Sequence, residues 1–204
     1  MTIGVIDYGM GNIFSIVKKL QQFFVDTVVI TRPAEMRMAD KLVLPGVGHF
    51  GKAVAHLKTM GIYDDINDAA LVKKKPVLGI CLGMQLMAER GEEGNAEGFG
   101  WFSGTNVRFR VSNAARYKVP QIGWNQLSRC RDSRILAHVG DADEFYFLHA
   151  YHLDAAVHGH VICTTRYDYE FPSGIERDNI AGVQFHPEKS HRAGEKVLKN
   201  FIDF

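Results

Sequence analysis

Cysteine is scarce in this chain: Cys81, Cys130 and Cys163 are the only three in 204 residues. None forms a CxxC pair, which excludes a disulfide framework and leads us to expect a reducing, cytoplasmic setting. Net charge is nearly absent as well, because 24 Lys and Arg face 23 Asp and Glu and leave +1. That balance provides no basic surface of the kind nucleic acids require. No run approaches the roughly 20 apolar residues that cross a bilayer. Residues 1–8 lack a basic region followed by an apolar stretch and a cleavage site, so neither membrane nor secretion is expected. The nine histidines form no HExxH motif and no His and Cys set with ligand spacing, so no metal and no other cofactor is expected. Repeats, linkers and charge blocks are missing too, which predicts one domain over residues 1–204.

What is present alternates. Short branched-rich runs at 3–8, 27–31, 41–44 and 77–80 read as strands. Between the first two, Ile13, Phe14, Ile16, Val17, Leu20, Phe23 and Phe24 recur at helical spacing. Helices are also predicted over 50–58, 62–74 and 82–90, the last closed by Gly91, and over about 192–202. Strand and helix in turn argue for a largely parallel sheet with helical crossovers. The second half differs: a glycine-rich acidic stretch at 91–104 reads as loop, and further strands are predicted at 145–148, 160–164 and 180–184. Pro172-Ser173-Gly174 reads as a turn between strands.

Two places carry chemistry. Gly79-Ile80-Cys81-Leu82-Gly83 sits where a buried strand meets a helix, and its glycines relieve the crowding of a sharp turn that would lift a nucleophile above the sheet. A helix start also favours a thiolate. The same pentapeptide fits a small buried hydrophobe at a bend, and by itself it does not separate the two. Downstream, His186 and Glu188 flank Pro187 at the end of an apolar run. An imidazole oriented by a carboxylate can serve a thiol as base and a leaving amine as acid, although such a pair also occurs on ordinary surfaces. Pro45-Gly46-Val47-Gly48 follows a strand and is either a turn or a flexible donor loop; it lacks the lysine of a phosphate-binding loop.

Taken together, Gly79-Ile80-Cys81-Leu82-Gly83-Met84-Gln85 and Gln184-Phe185-His186-Pro187-Glu188 resemble the signature of class I glutamine amidotransferases. Asp7-Tyr8-Gly9-Met10-Gly11-Asn12, Leu44-Pro45-Gly46-Val47-Gly48-His49-Phe50 and Ile122-Gly123-Trp124-Asn125 are similar, in order, to the glutaminase subunits of imidazole glycerol phosphate synthases. The resemblance implies an α/β, flavodoxin-like three-layer domain with a mostly parallel central sheet and an antiparallel extension. It implies hydrolysis of L-glutamine with Cys81 as nucleophile, His186 as base and Glu188 as orienting carboxylate. Val47 and Leu82 would donate to the oxyanion, and Gly48, Gln85, Ala150 and Tyr151 would bind glutamine. Tyr8, Asn12, Trp124 and Lys189 would lie toward the partner, a β/α-barrel cyclase, or along the route of ammonia.

One position departs from the family pattern. Ala150 stands where a serine or threonine is usual, so a hydroxyl contact to substrate is missing. That departure keeps open a related subunit that supplies ammonia for surface-sugar amidation. A cysteine hydrolase of other small amides and a non-catalytic regulatory domain are the remaining readings; retention of Cys81, His186 and Glu188 together weighs against the last.

Overall fold

The computed structural model describes residues 1–154 and 159–204. Its centre is an 8-stranded sheet. β1 (Thr2–Ile6), β2 (Asp26–Ile30), β3 (Lys41–Leu44), β4 (Val77–Ile80) and β14 (Ile180–Val183) run parallel, in the order β2-β1-β3-β4-β14. The sheet continues antiparallel through β13 (Tyr169–Arg177), β12 (Val161–Tyr167) and β9 (Ser128–Arg129). Parallel strands covered on both faces read as continuous apolar runs, and β4 and β14 are buried throughout.

Alternation along the strands sends side chains into two cores. Ile6, Leu42, Leu44 and Val77 face α2 (Phe50–Thr59) and α3 (Tyr63–Leu71), which contribute Leu57 and Ile66. Ile3, Val5, Val43 and Leu78 face α1 (Ile13–Gln21) and α5 (His191–Asp203), which contribute Leu20, Val197 and Phe201. Each fully buried side chain of this kind contributes roughly 1.5–3 kcal/mol. The Lys19–Glu195 pair at 2.7 Å also joins α1 to α5, but its side chains are 24% and 38% exposed. Such a pair is worth about 0–1 kcal/mol, so apolar burial holds these helices.

The second half adds two smaller sheets. β10 (Glu144–His149) pairs with β8 (Gln121–Gln126). β11 (Tyr151–Leu153), β7 (Phe102–Arg108), β5 (Ala88–Gly91) and β6 (Ala96–Glu97) form the other, in that order.

Two local expectations are corrected. The helix after Cys81, α4, spans only Leu82–Leu86. Beyond it the backbone serves the small sheet: Phe99 N–H donates to Leu86 O, Phe102 N–H donates to Met87 O, and Ala88 pairs with Phe102. A local helical pattern loses there to tertiary pairing. Pro172-Ser173-Gly174 is no turn either, for all three lie inside β13. Pro172 sits opposite Thr164 and beyond the β14 pairing, which ends at Gly174, so its missing N–H costs the central ladder little. Gly174 is required by closeness: a Cβ there would meet Cys163 Sγ at 2.7 Å and Ile162 Cγ1 at 2.9 Å.

Gly174→Ala is therefore expected to lose about 1–3 kcal/mol in a urea titration. Gly140→Ala, where the nearest atom is a side-chain oxygen 3.8 Å away, should stay within roughly 0.5 kcal/mol. Equal stability of the two variants would overturn the assignment of Gly174 to a packed strand.

Candidate active site

The parallel strands deliver the site at their carboxyl ends, as open α/β sheets do. Buried β4 ends at Ile80, and Cys81 follows with φ 53° and ψ −107°, a conformation a side chain rarely adopts. Gly79 and Gly83 make the bend possible. A Cβ on Gly83 would fall 1.7 Å from Leu44 O, and one on Gly79 would meet Gly83 C at 2.8 Å.

His186 lies just past β14 and is 2% exposed; its Nδ1 is 2.9 Å from Glu188 Oε1. Because a carboxylate only accepts, Nδ1 keeps a proton and Nε2 is the nitrogen at which the ring gains or loses one. Nε2 is buried with no formed hydrogen bond, yet Cys81 is near enough to act on the ring. Loose alignment of this kind is common before substrate binds. Cys81 Sγ is within 3.7 Å of Leu148 O and 3.6 Å of the Gln184 amide nitrogen.

Electrostatics separate two neighbouring histidines. Burial works against a charged His186, but Cys81 and Glu188 outweigh it and push the imidazole up to about 10. His149 has no such partners. Burial pushes it down to about 3 despite its hydrogen bond to Tyr151 O at 2.7 Å, and the nearby His152 and His186 lower it further. One imidazole is thus charged and the other neutral at pH 7.

A cavity of about 320 Å³ opens beside Cys81, lined by Val47, Gly48, Leu82, Gln85, Ala150 and Tyr151 among others. All the residues expected to bind glutamine or its oxyanion border it. Their hydrogen bonds refine the expectation. Leu82 N–H donates to Gly46 O at 3.3 Å, so this amide is engaged within the protein. The Gln85 amide nitrogen donates to Tyr151 O at 2.8 Å and Gln184 Oε1 at 3.1 Å. Gln85 therefore has its carbonyl, not its N–H groups, to offer a ligand. The Ala150 carbonyl accepts from Phe109 N–H.

The expected partner-facing residues divide. Trp124 is 41% exposed, stacks on His191 with centroids 5.1 Å apart, and meets the edge of Tyr146. The Lys189 ammonium sits 5.6 Å over the Tyr146 ring, so Trp124 and Lys189 share one patch. Asn12 caps α1, its side chain accepting from Ser15 N–H at 3.4 Å. Tyr8 is 1% exposed in this chain. Its ring is core, and a buried phenol needs an acceptor, which Pro45 O provides at 2.9 Å. Burial and the neighbouring Cys81 hold this phenol far above its ordinary range. A Cβ on Gly46 would meet Tyr8 Oη at 2.2 Å, so Tyr8 fixes the height of the 45–48 loop.

Sequence reasoning missed His49, Glu93, Pro120, Leu148 and His149, which also line the cavity. Glu93 lay in the glycine-rich acidic stretch, where no spacing distinguished it. Its carboxylate accepts from Phe50 N–H at 2.7 Å, and the start of α2 thereby holds it at the rim. Among the described residues no group of three or more His, Cys, Asp or Glu could hold a metal ion, and no helix is long and apolar enough to cross a membrane.

Comparison with known proteins gives the family and the fold. The family described as glutamine amidotransferase class-I matches residues 4–204, and the chain belongs to it. In fold it is similar to PurLQS of Thermotoga maritima, with TM-score 0.75 at 16% identity over 99% of this chain and 97% of that one. It also resembles a glutamine amidotransferase of Thermotoga maritima, with TM-score 0.64 at 17% identity over 100% of this chain and 83% of that one. Sequence relatives narrow the class. The chain is 40% identical over 200 residues to imidazole glycerol phosphate synthase subunit HisH 2 of Methanococcus maripaludis, and 38% identical over 200 residues to HisH of Leptospira interrogans. Each match covers 98% of both proteins. Within the class, the chain belongs to the HisH family.

The histidine contrast predicts an acid-labile fold. His149 is unprotonated when folded down to about pH 3, whereas in the unfolded chain it titrates near 6.5. The unfolded state therefore binds the extra proton between these values. The His149 contribution to stability is present above about pH 6.5 and is lost as pH falls, by up to roughly 1.4 kcal/mol per pH unit. His186, raised, has the opposite sign: its contribution is full below about 6.5 and is lost as pH rises toward 10. His149→Asn keeps a donor near Nδ1 without titrating. Its stability should fall less steeply than the parent's between pH 6.5 and 4.5, and identical slopes would refute the assignment.

Proposed function

We propose that this chain is the glutaminase subunit of an imidazole glycerol phosphate synthase. It would hydrolyse L-glutamine to glutamate and pass ammonia to a β/α-barrel cyclase subunit making imidazole glycerol phosphate and aminoimidazole carboxamide ribotide. The observation that carries the reading is the buried His186–Glu188 pair acting on Cys81, which itself lines a cavity of about 320 Å³. Near full-length likeness to subunits named HisH supports the histidine pathway. The same relatives weigh against surface-sugar amidation as the destination of the ammonia.

In this mechanism the Cys81 sulfur attacks the side-chain amide carbon, with His186 holding the sulfur's proton. His186 returns that proton to the departing nitrogen as ammonia leaves and a glutamyl thioester remains. His186 then deprotonates a water that cleaves the thioester, while Glu188 fixes ring orientation and stabilises its charge. Both tetrahedral intermediates need donors aimed at their oxyanion. Val47 N–H and Leu82 N–H are suited to this once the Gly46 carbonyl, which now accepts from Leu82, turns away. Glycines at 46 and 48, the latter at φ 114°, keep such a reorientation cheap. A partner that biases the loop would switch hydrolysis on.

For substrate, the Glu93 carboxylate and Gln85 carbonyl face an α-ammonium, and the amides of Gly48, Ala150 and Tyr151 suit a carboxylate. Backbone groups need no side-chain hydroxyl, which accommodates alanine at 150. The patch of exposed Trp124 and half-buried Lys189, with Asn12 at the start of α1, is the proposed docking face. Ammonia is readily protonated and lost to water, so product transfer across a closed interface is the purpose of docking.

Two measurements test this. Glutamate release should rise strongly when the cognate cyclase and its ribotide ligand are added, and should vanish in Cys81→Ala. Binding of intact partners without stimulation would sink the histidine-pathway assignment. Glu93→Gln removes a charge from the ammonium site and should raise KM for glutamine by about tenfold or more with little change in kcat. An unchanged KM would remove Glu93 from the substrate site.

A further inference from the structure

Ser190 precedes α5 in the position where a serine hydroxyl ordinarily accepts from the first turn of the helix. It makes no such cap here. The residue is 1% exposed, and its hydroxyl is used elsewhere: Oγ donates to His186 O at 2.6 Å and accepts from Tyr146 N–H at 3.0 Å. His186 N–H in turn donates to Tyr146 O at 2.9 Å. Both main-chain groups of His186 are therefore tied to both main-chain groups of Tyr146. One rung is direct and the other has the serine hydroxyl inserted into it, as if the two residues were an antiparallel pair spread open by one oxygen.

The arrangement continues outward. Tyr146 lies on β10 two residues before Leu148, whose carbonyl contacts Cys81 Sγ at 3.7 Å. The strand that holds the base's backbone thus also touches the nucleophile. The Tyr146 ring lies under the Lys189 ammonium and beside Trp124. His191, next to Ser190, stacks on Trp124 with planes 4° apart and takes a φ of 47°, a strained value that usually reflects a positional demand. Gly194 lets α5 close onto this turn, since a Cβ there would strike Pro187 O at 1.9 Å.

We infer that Ser190 is a positioning residue for the base: its hydroxyl holds the His186 main chain against β10, sets Nε2 toward Cys81, and joins the base to the exposed Trp124 patch. This rests on the reading of Cys81 and His186 as nucleophile and base. The groups facing His186 are Glu188 and Cys81, with His149 nearby, and none of them replaces the hydroxyl's role on the main chain.

The test uses the full chain carrying Cys130→Ser, because Cys130 is an exposed thiol that would alkylate in competition with Cys81. The rate of Cys81 carboxamidomethylation by iodoacetamide is followed from pH 5 to 10, and glutamate release is measured with the cyclase present. Ser190→Ala should shift the pH profile toward that of an unassisted thiol and lower kcat by about 10- to 100-fold with KM little changed, as expected for a displacement on the order of 1 Å. Ser190→Thr should restore most of both. Where Ser190→Ala folds poorly, Ser190→Thr and Ser190→Val provide the comparison, since they share a shape and differ in the hydroxyl. If Ala and Val variants keep the parent's pH profile and kcat, the inference is overturned. If instead the parent itself shows an unassisted thiol and releases no glutamate, the nucleophile and base reading fails with it, and the two failures are told apart.

Discussion

A cysteine backbone held at φ 53° and ψ −107° is strained by about 1–3 kcal/mol, and it persists only where its surroundings leave no alternative. Here they leave none. Cys81 N–H donates to Val183 O on β14, and Gln85 N–H donates back to Cys81 O, so the residue is pinned between a strand and the first turn of α4. Gly83 is pressed against Leu44 O on the adjacent strand. Relaxing the bend would disturb the close approach of α4 to β3 and β4 that Gly83 and Gly79 allow. The core thus sustains a conformation that places sulfur above the strand ends.

Around that sulfur, two halves of the chain meet. The parallel half contributes Cys81 and the 45–48 loop, braced from beneath by Tyr8. β14, although late in sequence, inserts beside β4 and carries His186 and Glu188 to the same edge. The antiparallel half supplies the facing wall, from Leu148 to Tyr151. Burial alone would leave every histidine there neutral, as it does His149. Cys81 and the Glu188 carboxylate together reverse that at His186, so the charge of the ring is set by its two neighbours and not by burial.

The readable parts of the sequence were those where local chemistry and final structure agree. Apolar strands at 41–44 and 77–80, a glycine-bracketed cysteine, and His186 with Glu188 all carry their constraint within a few residues. The unread parts involve distant partners. Leu86 to Ala88 look helical until 98–102 compete for their backbone. Pro172-Ser173-Gly174 looks like a turn until Cys163 is seen to need the space. Nothing near Tyr8 in sequence announces Pro45 above its hydroxyl, and Glu93 has no local mark at all.

The sequence by itself determined which groups could do chemistry, because a nucleophile elbow and a His-Pro-Glu turn are short-range patterns fixed by steric and tautomeric demands. Only the tertiary structure decided how those groups are held. It gave Leu82 N–H to Gly46 O, turned the Ser190 hydroxyl from its helix to the His186 backbone, and set Tyr8 under the 45–48 loop. Each satisfies a buried polar group with a partner that is known only once the chain has closed around it.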